Sequence, residues 1–171
     1  MGELELWLGG YARALELTAR ACRMGAPFAH GWKGAALLKL GRPARALKQL
    51  DHALSLFPND AEARLWRAET NRELGRHREA LKELETVLPE HRVWVLVNRA
   101  LCRYALGDAA GMASDVESLP ENVVAHVRAR SGLEGPLDPA RTARLLEAAL
   151  RLGRGFRRAE YGQAVWLSRA H

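Results

Sequence analysis

A Leu-Gly dipeptide recurs along the chain at Leu8-Gly9, Leu40-Gly41, Leu74-Gly75 and Leu106-Gly107, so the glycines stand 32, 34 and 32 residues apart. Such a period constrains the fold more than any other feature, because each period must be one supersecondary unit and each unit must shelter its neighbour. Between two markers the pattern is apolar at helical spacing. Ala29 to Asp60 reads as two amphipathic helices joined by Gly41-Arg42-Pro43. Glycine suits the left-handed position just past a helix end, and proline suits the first turn of the next helix. Pro58-Asn59-Asp60 closes the unit, with Asp60 as the expected N-cap of the next helix.

Other positions keep the same register. Seven residues before the glycine stand Gly34, Ala68 and Ala100. Five after it stand Ala14, Ala46, Ala80 and Met112, and twelve after it Ala21, Ala53, Val87 and Leu119. Small side chains at fixed offsets let two helices approach closely. These residues carry a resemblance to the tetratricopeptide repeat: the small residue on the first helix (Gly34), the Leu-Gly turn (Leu40-Gly41), the Ala46-Leu47 pair, and the ending Ala53-Leu54 with Pro58. The resemblance covers about residues 9–121. The large aromatic usual early in the first helix is replaced by His30, Arg64 and Leu96, and Pro89 comes early in its unit.

The expected fold is therefore all-α: a right-handed α-solenoid of antiparallel helix pairs, with a C-terminal capping helix. Residues 9–26 form a partial first repeat, 27–60, 61–90 and 92–120 form repeats, 121–152 a degenerate repeat, and 155–171 the cap. Helices are expected at about 28–40, 43–57, 61–74, 77–88, 92–106 and 109–119, with later ones at 121–131, 140–152 and 156–169. Asp138-Pro139 makes an N-cap and first-turn pair. Tyr11–Met24 is a second-type helix whose partner is too short. Leu4, Leu6, Trp7 and Leu8 fold over it as a stub, or the chain is cut from a longer protein, or the face docks against something else. An uncovered terminal face also admits self-association.

Composition agrees. The 171 residues are 48% apolar and 27% charged, enough for one such domain. Val and Ile are scarce and no alternating apolar run is present, which argues against a sheet. No stretch is long enough to span a membrane. The start, Met1-Gly2-Glu3-Leu4-Glu5, lacks a basic region and an apolar core, so a cytoplasmic location is expected. Cys22 and Cys102 are expected to be reduced core thiols. No Cys or His cluster suggests a metal, and no cofactor is expected. No nucleophile, base and acid stand at suggestive spacing, and Gly153-x-Gly155 follows a helix where a dinucleotide loop would follow a strand.

A binding surface is the expectation that remains. First helices line the concave side of such arrays, and the resemblance implies that this groove holds a peptide or partner protein. With the glycine as ruler, the inward set is Phe28, Trp32, Ala35, Leu38 and Lys39, then Glu62, Leu65, Trp66, Glu69, Arg72 and Glu73, then Trp94, Val97, Asn98, Leu101, Tyr104 and Ala105. Trp, Tyr and Arg are the residues that most often anchor a partner. An error of one residue would move Trp66 from the groove to a helix interface. Lys39 and Asn98 alone do not make the paired Lys and Asn clamp that holds a C-terminal carboxylate.

Charge divides unevenly. Residues 1–121 hold 17 basic and 16 acidic residues, and residues 122–171 hold 9 arginines and 4 acids. Arg151, Arg154, Arg157 and Arg158 form a basic patch, which either meets nucleic acid or an acidic partner or is a solvated face. Three functional readings are open: a non-catalytic protein-binding scaffold, an accessory region of a larger enzyme such as a transferase, or nucleic-acid binding through the basic C-terminal third.

Overall fold

Gly9, Gly41, Gly75 and Gly107 all have positive φ, at 84°, 70°, 75° and 81°. Each closes a Schellman turn. At Gly41, the N–H of Arg42 donates to Leu37 O at 2.9 Å and the N–H of Gly41 to Leu38 O at 2.9 Å. The same pair of bonds recurs at Gly75 and Gly107, and with Gly9-Gly10 near the start. A side chain at such a φ costs about 1–2 kcal/mol, which is why the marker is glycine each time.

The computed structural model describes residues 1–86, 92–121, 125 and 138–152. Among these it has nine α-helices and no strand. They are α1 (Gly2–Leu8), α2 (Tyr11–Arg23), α3 (Ala29–Lys39), α4 (Pro43–Leu56), α5 (Ala61–Glu73), α6 (His77–Leu84), α7 (Arg92–Ala105), α8 (Ala109–Glu117) and α9 (Pro139–Leu152). The expected final helix at 156–169 lies outside the described residues, as does the helix at 121–131 except for Glu121 and Ala125. Starts follow local chemistry. Asp60 accepts from Ala63 N–H at 3.0 Å, Asp108 from Gly111 N–H at 2.8 Å, and Asp138 from Ala140 N–H at 2.8 Å. Helix α6 stops at Leu84, short of the expected 88. There the Thr86 hydroxyl donates to Glu83 O at 2.7 Å, competing with helical continuation.

The chain divides into two units, Met1–Val87 and Leu88–His171. In the first, helices α2 to α6 pack in succession, each on its neighbour, while α1 lies on α2 and α3, and α3 lies directly on α5. The α3–α4 approach is close: a Cβ on Gly34 would meet Leu50 Cγ at 2.6 Å. Leu50 is fully buried, as are Ala46, Ala68 and Ala80 at the other small positions. In the second unit, α7 packs on α8, and α9 packs on both. Its core is Val93, Val97, Leu101, Met112, Val116 and Leu146. Both cysteines are free thiols, Cys102 buried and Cys22 half-buried. Among the described residues no helix is long and apolar enough to cross a membrane.

Candidate functional site

Helices α1, α3 and α5 meet through tryptophans. The Trp7 ring lies 6.1 Å from Trp32, edge-on at 83°, and 5.8 Å from Trp66 at a tilt of 34°. Centroids at these distances are in the range of favourable aromatic pairs. The Trp7 indole N–H donates to Glu3 Oε1 at 3.3 Å within its own helix. Trp7 and Trp32 keep part of their surface in solvent, whereas Trp66 is 2% exposed. The stub helix is thus present, and it brings to this side a third tryptophan that repeat spacing does not indicate. Trp7 is two residues before its glycine, whereas Trp32 and Trp66 are nine before theirs. No in-register ruler links them.

A buried ion pair borders the aromatic group. Lys39 Nζ on α3 lies 2.6 Å from Glu69 Oε1 on α5, with the side chains 12% and 3% exposed. The same ammonium stands 5.2 Å from the centre of a Trp66 ring, within cation–π range. Arg72 is buried and its guanidinium meets Glu73 Oε1 at 2.5 Å. Glu62, one turn before Trp66, is half-buried. Phe28, also expected on this side, is the N-cap residue of α3 and is 64% exposed.

The other side of the first unit carries a second charge set. Arg67 on α5 reaches Asp51 on α4 at 3.2 Å and Glu83 on α6 at 2.8 Å. Burial pushes the Glu83 carboxyl above its ordinary range, and Arg67 only partly offsets this. Burial likewise raises the Cys22 thiol, against the pull of Lys33 and Arg23.

In the second unit, Trp94 and Asn98 are buried, at 4% and 1%, and Tyr104 is 40% exposed. Asn98 donates from Nδ2 to Trp94 O at 3.1 Å, one turn back. Asp115 on α8, 1% exposed, takes Arg99 on one oxygen and Arg103 on the other, the latter at 2.8 Å. Arg103 also donates to Gly111 O at 3.0 Å. Nothing in the repeat register singles out Asp115. Its partners lie 16 and 12 residues earlier, on another helix.

Arg154, Arg157 and Arg158 of the expected basic patch lie outside the described residues, and Arg151 lies in the last turn of α9. Among the described residues no three His, Cys, Asp or Glu side chains converge as a metal site would require.

Residues 37–110 match the family model of the tetratricopeptide repeat. That stretch, and not the whole chain, carries the tetratricopeptide-repeat pattern. The matched stretch takes in the turns at Gly41, Gly75 and Gly107 together with α4, α5, α6 and α7. No curated protein and no solved structure matches the chain. Tetratricopeptide repeats generally mediate contacts between proteins.

Proposed function

We propose that this chain is a non-catalytic interaction module that holds a peptide or partner protein on the face carrying Trp7, Trp32 and Lys39. The single observation that supports this most is the aromatic group on the first helices. Two tryptophans keep solvent-facing surface there, over a buried Trp66 and a neutralised ion pair. Indoles held this way desolvate much area at little entropic cost when a partner arrives. In this reading the array is a superhelix with that face on its concave side. Glu62, Glu69 and Arg72 set the charge around the tryptophans. Trp94, Asn98 and Tyr104 hold the corresponding first-helix positions of the next repeat.

The test is affinity capture from the native source with three baits: the unchanged chain, Trp32→Ala, and, as a control, Glu79→Ala at an exposed position of α6. Trp32→Ala is expected to lose the co-eluting protein and Glu79→Ala to keep it. Equal recovery by all three ends the proposal.

A further inference from the structure

Between Glu16 and Asp51 the sequence has no acidic residue, while it has seven basic ones: Arg20, Arg23, Lys33, Lys39, Arg42, Arg45 and Lys48. The near-neutral balance of the first 121 residues therefore conceals a segment of net charge +7. Only Lys39 among the seven is spent on an ion pair among the described residues. Arg20, Arg23, Arg42, Arg45 and Lys48 are exposed, and Lys33 is half-buried.

Helices α2 and α3, which carry the first three of these, pack on each other. Lys33 on α3 and Arg23 on α2 are both close enough to Cys22 to act on its thiol, so the two cations share one neighbourhood. The connector between the helices adds two large apolar side chains, Met24 at 75% and Phe28 at 64% exposure. Here apolar side chains and cations follow one another closely along the chain, so a partner would meet both kinds of contact.

We infer that the α2–α3 face is a docking site for an acidic segment of a partner protein, one that mixes Asp or Glu with apolar side chains. Arg20, Arg23 and Lys33 receive its carboxylates, and Met24 and Phe28 receive its apolar side chains. Arg42, Arg45 and Lys48 on the first two turns of α4 extend the field that steers it in. Helix α4 strengthens that field, since its first turn has no acidic residue and its N-cap is Arg42, with no side-chain cap. A nucleic acid would call for flat ring platforms interleaved with the charges. This face offers a thioether and a single phenyl ring, which suit aliphatic and aromatic side chains better.

The experiment uses the full chain and a fluorescein-labelled peptide built from Asp, Glu, Leu and Phe, followed by anisotropy. Saturable binding is expected, weakening by on the order of tenfold as salt rises from about 0.05 to about 0.3 M. The variant R20E/R23E/K33E, checked for unchanged helicity by circular dichroism, is expected to lose about tenfold or more in affinity. M24S/F28S is expected to weaken binding while keeping the salt dependence. Trp32→Ala on the proposed groove is expected to leave this affinity unchanged, so either site can fail without the other. Absence of saturable binding, charge-reversed protein that binds like the original, or tighter retention on single-stranded RNA or phosphatidylserine vesicles than on the peptide overturns the inference.

Discussion

The two units solve the same problem, joining neighbouring helices, with different chemistry. In the first, α3 meets α5 through Lys39 and Glu69, and Trp7 brings Trp32 and Trp66 into one aromatic group. The cation and the anion there are both largely removed from water. In the second, α7 meets α8 through Asp115, which is fully buried but takes two arginines that are each about 30% exposed. There the anion is inside and the cations remain wet. A pair held this far from water fails badly when one member goes, because the survivor has little water to turn to. A buried acid ringed by wet arginines fails more gently when the acid goes, because the arginines are already hydrated.

That contrast sets the order of expected effects. Lys39→Ala takes a cation from the buried Glu69 carboxylate and is expected to cost about 3–5 kcal/mol, read as a shift in the urea midpoint with unchanged slope. Asp115→Asn is expected to cost about 1–3 kcal/mol by the same measurement, since it weakens hydrogen bonds to charged groups but leaves no buried ion behind. A larger loss for Asp115→Asn than for Lys39→Ala would break the comparison. Where the units are alike the losses should also be alike: Gly41→Ala and Gly107→Ala are each expected to cost about 1–2 kcal/mol, because both turns use the same left-handed geometry with open space around the missing Cβ.

The smallest expected effect is a pH dependence confined to the first unit. Glu83 has a raised value in the folded chain, so folding tightens its hold on the proton. Its contribution to stability therefore declines as pH climbs from the ordinary carboxylate value through the raised one. Glu83→Gln is expected to remove that decline. Chemical denaturation at acidic and neutral pH should show the difference between the two proteins changing across this range, and a parallel pair of curves would refute the assignment.

The features legible in the sequence were the local ones. A left-handed glycine, an aspartate three residues before the N–H it caps, and a small residue facing a neighbouring helix all leave marks within one turn or one period. The helices over residues 29–84 and 92–117 can be read from those marks, with α6 ending early at Leu84 as the exception. The candidate site was legible only in part. Trp32 and Trp66 stand in one register and were visible as a column, but the choice between groove and interface turns on a single residue of phase. Trp7 comes from a helix of seven residues, too short to set its own register. Lys39 and Glu69 are 30 residues apart, and Asp115 is 16 from Arg99. No periodic rule pairs a particular acid with a particular base across such distances.

The recurring glycine closure has a kinetic consequence. Within the first unit each helix and its successor are joined by two to five residues, so most stabilising contacts bridge short stretches of chain and little loop entropy must be overcome before they form. Folding of the first unit can begin in any helical hairpin and spread to its neighbours. Under mild denaturant, protection from amide exchange should then be lost hairpin by hairpin, beginning with the short α1 and its immediate neighbour.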